Sequence, residues 1–449
     1  HVHDVEVCGK LGQVLGLAIA IKDQPRIEKA RDAVIEYERK VGADDKPGLW
    51  GRAFDLLYDN KRVLLTDAQR DAMIADLEGR LDRVSNPKTA PTALDPWAAE
   101  AAAQRLAIHY RKEHKTDDVR RVLLKVGGAF DHMAEKAEPM VAQAWFEQVE
   151  HLYRRFNLTK EASQVRRKIR ELGPAAHAKL VRHEHKMEIT KEDMDAYVNQ
   201  MLEGDLEQAI SRFVIHLIPR RHQTEEQLKE LAREAVMMFL VNRKIVDDKG
   251  RPIASLGLLE EDMDGHIVAQ TAQNLGVMGI WVRCVIEEMI KRFGVDTTLV
   301  MGRIAECPVF DESKHDIIRR GLDAYFAGDA MTAIHFLVPQ VEDAVRTLIE
   351  LAGGDVCKPN RQGGMDLRSF DDLLRHPILP HVLNSDAAEY LRVLYTDRRG
   401  INLRNNVCHG MLAAGGFGIG LADRVFHTLV MLSQIRRKET GNQEDTNSN

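Results

Sequence analysis

Residues 107–126 read AIHYRKEHKTDDVRRVLLKV, and residues 150–169 read EHLYRRFNLTKEASQVRRKI, which aligns with the first stretch at a constant offset of 43 residues. The identical pairs include Tyr110/Tyr153, Arg111/Arg154, Thr116/Thr159, Val122/Val165 and Lys125/Lys168. A unit of about 40 residues that holds two amphipathic helices is typical of stacked helical-hairpin repeats. Two basic amphipathic helices also resemble each other by chance, so the repeat and the coincidental interpretation both stay open at this point.

Apolar residues recur at helical spacing along most of the chain, so the sequence predicts an all-α fold. A helical-repeat-like region (an α-solenoid) is predicted over residues 1–183, followed by a middle helical region over 184–310. A further helical domain is predicted over residues 311–438. The polar end of the chain, residues 439–449, is predicted to be disordered because it lacks the apolar residues that a core requires.

Two short segments interrupt the helical pattern. The stretch VNRKIVDDKGRPIASL (241–256) has a DDKG centre between two apolar runs, which predicts a small β-hairpin near residues 243–256. The stretch GGDVCKPNRQGGMD (353–366) is rich in glycine and polar residues and is predicted to form a loop.

The composition excludes several classes of protein. The net charge of the 449 residues is −6, so nucleic acid or an anionic membrane would have to be bound by a local basic patch. Basic clusters such as Arg398–Arg399 are usually solvated surface, but they would guide RNA if several shared one face. The sequence predicts no transmembrane helix and no membrane partner. The five cysteines are widely spaced, which favours reduced thiols and a cytoplasmic location.

The segment 330–351 is predicted to form one amphipathic helix with Asp329 as its N-cap. Pro339 lies inside it and is expected to kink it. Its core stripe consists of Ile334, Val338, Val341, Val345 and Leu348. A separate polar row consists of His335, Glu342 and Arg346. This row is either part of the lining of a functional groove or an ordinary solvent face that carries an i,i+4 ion pair.

The segment GINLRNNVCHGML (400–412) places polar residues in a window that otherwise resembles core sequence. On a helix, Asn405 and His409 share a face, whereas Arg404 and His409 are separated by about 140°. Arg404 therefore has to lie at the start of the helix, or the site has to combine groups from two chains. The structural alternative is an arginine paired with Asp397 or Glu342 and a histidine in the core.

The motif LRNNVCHG, placed after the helix HFLVPQVEDAVRTLIE and before a long terminal helix, resembles the signature of the HEPN superfamily (higher eukaryotes and prokaryotes nucleotide-binding). Ribonucleases of this superfamily carry arginine, four to six residues and then histidine, and the residue after the arginine is often asparagine. Arg404, Asn405 and His409 match that pattern. The layout is also similar to a branch of unknown function with an NLRN…HG motif, and the resemblance covers about residues 312–438.

The resemblance implies a C-terminal HEPN helical bundle that acts as a metal-independent endoribonuclease through the 2′-hydroxyl of RNA. His409 would move protons, Arg404 would stabilise the phosphate transition state, and Asn405 would orient His409 or hold a phosphate oxygen. The possible groove-lining residues are His335, Glu342, Arg346 and Asn402. No metal or cofactor is expected.

The resemblance also implies RNA as substrate, a homodimer that pairs its C-terminal domains, and a role in antiphage defence or a toxin-like stress response. The N-terminal helices would then bind a protein partner or regulator. Two alternatives remain: a non-catalytic HEPN module that binds RNA or protein, and a helical scaffold that dimerises through its C-terminal domain.

Overall fold

The computed structural model describes residues 3–86, 88, 94–181 and 188–437, and it confirms the all-α fold class. The chain divides into two compact units, of which the first comprises residues 1–183 with 246–251, and the second comprises residues 184–245 with 252–449. The predicted disordered tail, residues 439–449, lies outside the described residues.

The first unit consists of seven described α-helices and a short π-helix at Phe54–Tyr58. The α-helices are α1 (Asp4–Ala20), α2 (Gln24–Val41), α3 (Asp67–Val84), α4 (Pro96–Lys112), α5 (Thr116–Ala134), α6 (Pro139–Arg155) and α7 (Thr159–His177).

The helices α4 to α7 confirm the helical repeat. Every boundary of the α6–α7 hairpin lies 43 residues after the corresponding boundary of the α4–α5 hairpin. Both turns use one residue with positive φ, His114 (57°) in the first and Asn157 (61°) in the second. The repeated residues Val122 and Tyr153 belong to one shared apolar core. Because each hairpin buries its apolar face against the next one, neither is expected to be stable alone.

The second unit contains the remaining helices: α8 (Lys191–Met201), α9 (Leu206–His216), α10 (Arg221–Glu234), α11 (Val236–Phe239), α12 (Met263–Val277), α13 (Gly279–Phe293), α14 (Thr297–Ala305), α15 (His315–Phe326), α16 (Ala330–Leu351), α17 (Phe370–Leu374), α18 (Leu379–Leu383), α19 (Ser385–Tyr395), α20 (Leu403–Cys408) and α21 (Ile419–Leu432). Its apolar core includes side chains from Val198 to Leu432, so residues before and after 310 share one core.

Two small two-stranded sheets accompany the helices. The strands β1 (Arg243–Val246) and β2 (Pro252–Leu256) confirm the hairpin predicted near residues 243–256. The strands β3 (Cys357–Pro359) and β4 (Met365–Leu367) pair antiparallel within the stretch predicted to be a loop, so that prediction was wrong in part. Asn360 stabilises the turn between them, since its Oδ1 accepts hydrogen bonds from the backbone N–H groups of Gln362 and Gly364.

The last helix, α21, lies inside the second unit and is buried at every position from Ala422 to Leu432. It carries polar residues that need partners in this environment. Oδ1 of Asp423 accepts hydrogen bonds from Nη1 of Arg283 at 2.9 Å and from the hydroxyl of Tyr325 at 2.7 Å. Burial raises the pKa of Asp423, while the Tyr325 hydrogen bond and the Arg283 charge act in the opposite direction.

His427 on α21 gives the fold a predicted acid sensitivity. Its Nε2 lies 3.2 Å from the carbonyl oxygen of Phe213 and its Nδ1 lies 3.0 Å from the hydroxyl of Tyr390, an arrangement that suits a neutral imidazole. Burial, and then the charge of Arg424, lower the pKa of His427 to about 3. The unfolded chain therefore binds this proton more readily, and stability is lost as the pH falls below about 6.5.

We expect His427 to contribute a loss of at most about 1.4 kcal/mol per pH unit between about pH 6.5 and the folded pKa. Urea denaturation of the full chain at pH 7 and pH 5 measures this slope. In His427→Gln the slope becomes shallower, because the glutamine does not titrate. The control His222→Gln, at an exposed position, leaves the slope unchanged. An equal slope in all three proteins would contradict the assignment.

Candidate active site

Helix α16 supplies the first part of the candidate site. Asp329 is its N-cap, as predicted, and accepts a hydrogen bond from the backbone N–H of Thr332 at 3.0 Å. The helix continues through Pro339 to Leu351, and its predicted apolar stripe is buried. This packing fixes the polar side of α16 that flanks the stripe, on which Glu342 and Arg346 form an ion pair of 3.0 Å.

Helix α20 supplies the second part. It has only six residues and is anchored in the core by Leu403 and Val407. Arg404 is its second residue, which corresponds to the first of the two arrangements that the five-residue spacing allows. His409 is the C-cap residue that follows the helix, and it is exposed. The two side chains therefore leave opposite ends of a short helix.

Glu342 joins the two helices. Its Oε2 accepts a hydrogen bond from Nε of Arg404 at 2.8 Å, and its Oε1 accepts one from Nη2 of Arg346 at 3.0 Å. Nη1 of Arg404 makes a longer contact of 3.4 Å with Oδ1 of Asn405. Nη2 of Arg404 has no hydrogen-bond partner among the described residues. Glu342 thus holds one edge of the Arg404 guanidinium, and another donor is left for a ligand.

The side chain of Asn405 is held within its own loop. Its Nδ2 donates to Oδ1 of Asn402 at 2.7 Å and makes a weaker contact of 3.4 Å with the carbonyl oxygen of Thr396. Asn402 occupies the N-cap position of α20 with φ of 56°, but its side chain does not cap the helix. In the described structure, Asn405 and His409 share only a backbone hydrogen bond, in which the N–H of His409 donates to the carbonyl oxygen of Asn405 at 3.0 Å.

The imidazole of His409 has no hydrogen-bond or ion-pair partner among the residues described. The structural alternative for this motif had two parts. Its first part is present, since Arg404 pairs with Glu342, but its second part is not, since His409 lies outside the core. His335 is also exposed, but it is stacked against Phe417, with ring centroids 4.8 Å apart, and its Nδ1 lies 2.8 Å from the carbonyl oxygen of Met331. No hydrogen bond or ion pair joins His335 to the Arg404–Glu342–Arg346 group in the described structure.

A polar cavity of about 350 Å³ lies beside Asn405. The side chains that line it come from β2 and from the segment between α17 and α20: Ile253, Ala254, Asp371, Arg375, Thr396, Asp397, Arg398, Arg399 and Asn405. Arg398 is exposed and forms no ion pair with a described residue. Sequence reasoning noted the Arg398–Arg399 pair but did not place it in a cavity with Asn405, because nothing in the local pattern shows how this segment folds back.

Asp397 holds the basic side of this cavity in place. It is only 5% exposed, and its carboxylate accepts hydrogen bonds from Nε and Nη2 of Arg399 at 3.0 and 2.9 Å. Nη1 of Arg392 lies 3.5 Å from the same carboxylate. Burial by itself raises the pKa of Asp397, but the hydrogen bonds from Arg399 outweigh it and lower the pKa below the usual value. Asp397 is therefore an ionised anchor for the arginines at neutral pH.

Two features are absent from the part of the chain that the structure describes. Within them, no helix combines the length and the apolar character needed to cross a lipid bilayer. Also within them, no three or more His, Cys, Asp and Glu side chains converge as a metal site would require.

No family model, curated protein or solved structure matches this chain.

Proposed function

We propose that the chain is a metal-independent endoribonuclease of HEPN type, located in the cytoplasm and active as a homodimer through its C-terminal region. The observation that carries the proposal is the free, exposed imidazole of His409 in a motif whose arginine is held by Glu342. A general acid–base group has to reach its substrate, and histidine changes its charge near neutral pH. A histidine that served only packing would be expected in the core.

In the proposed reaction, the 2′-oxygen of one nucleotide attacks the adjacent phosphorus atom and the bond from phosphorus to the 5′-oxygen breaks. His409 of one subunit takes the proton of the 2′-hydroxyl, and a second proton donor, for which the partner copy of His409 is suited, protonates the 5′-oxygen. The products are a 2′,3′-cyclic phosphate and a 5′-hydroxyl. Arg404 stabilises the negative charge on the phosphate oxygens in the transition state.

The dimer is part of the proposal because α20 directs Arg404 and His409 from opposite ends of a six-residue helix. Two copies that pair near this helix would bring a second histidine to the same phosphodiester. The cavity beside Asn405, with the unpaired Arg398 at its edge, is suited to a neighbouring phosphate of the RNA chain. The same cavity also supports the alternative of a module that binds RNA without cleaving it.

The test compares RNA and DNA oligonucleotides of the same sequence, incubated with the purified full chain in EDTA. We expect only the RNA to be cleaved, with a 2′,3′-cyclic phosphate on the upstream product. A single 2′-O-methyl group at the scissile nucleotide removes cleavage at that bond, because the nucleophile is blocked. RNA that stays intact over a range of salt and pH, but is retarded in a gel, would support the binding module and contradict the enzyme.

A further inference from the structure

A second cavity of the C-terminal unit, separate from the candidate active site, has the chemistry of an anion site. It has a volume of about 270 Å³ and lies between the end of α9, the start of α10, the end of α12 and α21. The cavity beside Asn405 is lined by both arginines and aspartates. The lining of this second cavity, in contrast, includes no Asp or Glu. Its charged residues are Arg220 and Arg424, and His216 also lines it.

The environment of Arg424 is the main support for an anion site. It is 3% exposed, yet it forms no ion pair with a carboxylate of the described residues. Its Nη2 donates to the carbonyl oxygen of Leu275 at 3.0 Å, while its Nε is buried without a hydrogen-bond partner. Guanidinium groups stay charged in proteins, and a buried charge without a counter-ion is costly. The charge of Arg424 acts on the neighbouring Asp423, but the two side chains form no ion pair. An anion in the cavity would supply the direct counter-ion that Arg424 lacks.

Other groups around the cavity add positive potential. Arg220 is exposed and unpaired among the described residues, and it immediately precedes α10. The first turn of this 14-residue helix contributes Gln223 and Thr224 to the lining. The N-terminus of α10 is already satisfied within the fold, since the backbone N–H of Arg221 donates to Oδ1 of Asp386 at 3.0 Å. The positive charge of the cavity therefore comes from Arg220 and Arg424, and two guanidinium groups match a dianionic phosphate better than a single carboxylate.

The rest of the lining is suited to an organic group attached to that phosphate. Leu217, Leu275 and Met278 provide an apolar wall. The amides of Gln227 and Asn274 are joined by a hydrogen bond of 2.9 Å and present further polar atoms. The volume is near the lower limit of about 300 Å³ for small-molecule sites. The ligand is therefore a small one.

We propose that this cavity, formed around Arg424 and Arg220, binds a small organic phosphomonoester of about the size of a nucleoside monophosphate. This proposal is independent of the ribonuclease proposal, because the two sites share no residue.

The experiment measures binding to the full chain by isothermal titration and by thermal shift, with adenosine 5′-monophosphate, cytidine 5′-monophosphate, adenosine and inorganic phosphate as probes. We expect at least one nucleotide to bind and to raise the melting temperature, and adenosine to have no effect. Inorganic phosphate should bind at least about tenfold more weakly, since it does not contact the apolar wall. Equal affinity for phosphate and the nucleotides would overturn the assignment of an organic ligand.

Three variants locate the site. Arg220→Ala, at an exposed position, should fold normally and weaken nucleotide binding by about tenfold or more, as expected for loss of a charge-assisted contact. Arg424→Met should abolish binding, and its melting temperature without ligand shows whether it folds. Arg398→Ala is the matched control, because it removes an exposed arginine from the cavity beside Asn405. Absence of nucleotide binding, or binding lost in Arg398→Ala but retained in the other two variants, would overturn the proposal.

Discussion

His409→Ala is expected to lower the rate of RNA cleavage by about 10²- to 10⁴-fold, the usual contribution of a general acid–base group. Folding should be unaffected, because the imidazole is exposed and no described residue hydrogen-bonds to it. The rate is measured with the RNA oligonucleotide in EDTA under single-turnover conditions, and the fold is checked by urea denaturation. A lower cleavage rate with an unchanged free energy of unfolding distinguishes a chemical role of His409 from a structural one.

The matched control is His381→Ala. His381 is also an exposed histidine of the C-terminal unit, but it lies on α18, outside the motif and outside both cavities. We expect cleavage within about twofold of the unmodified chain for this variant, since surface substitutions of this kind are usually nearly neutral. Equal rates for the His381→Ala and His409→Ala proteins would remove His409 from the mechanism and, with it, the reason for assigning an enzyme.

The arrangement around Glu342 explains why the arginine and the histidine of the motif have different surroundings. Arg404 is 24% exposed and is held by a carboxylate that also binds Arg346, so its position is set before any substrate arrives. A positioned donor stabilises a transition state without the cost of reorganisation. His409 lies after the helix, next to Gly410 with φ of 61°. Its side chain is thus free to meet a substrate or a partner subunit.

Features defined by local sequence were predictable. The repeat at an offset of 43 residues identified α4 to α7, because each hairpin carries the same spacing of apolar and turn residues. The N-cap at Asp329 was predictable because a capping side chain bonds to the first turn of its own helix, here to the backbone N–H of Thr332. The position of Arg404 at the start of α20 was one of the two arrangements that the helical repeat of about 3.6 residues allows for a spacing of five residues.

Features that depend on tertiary packing were not predictable in the same way. The break between α12, which ends at Val277, and α13, which begins at Gly279, is one example, because no proline marks it in the sequence. Asn402 is another example: asparagine is a common N-cap residue, but here its backbone is left-handed and its side chain accepts a hydrogen bond from Asn405 instead of capping α20. The cavity around Arg424 combines residues that lie almost 150 positions apart along the chain, at Leu275 and Arg424, so no local motif indicates it.

The largest expected effect on stability comes from Asp397→Ala. This change leaves the guanidinium of Arg399 without the carboxylate oxygens that now lie 3.0 and 2.9 Å from it, and Arg392 also loses its contact with Asp397. Removing one partner of a buried ion pair costs about 3–5 kcal/mol, because the remaining charge stays buried without its counter-ion. Asp264 also contacts both arginines, which favours the lower end of that range.

The free energy of unfolding, measured by urea denaturation at pH 7, tests this prediction. The control Asp355→Ala removes a carboxylate that is 64% exposed and pairs with Arg368, and it should cost much less stability than Asp397→Ala, because solvent screens an exposed ion pair. The pKa of Asp397 is lowered in the folded state, so its contribution is present above the unfolded pKa of about 3.9 and is lost as the pH falls further. The difference between the free energies of unfolding of the Asp397→Ala and Asp355→Ala proteins should therefore become smaller in strong acid. A cost for Asp397→Ala no larger than that of the control at pH 7 would mean that Arg392 and Arg399 do not need this anchor, and that Asp264 and Asp262 hold them without it.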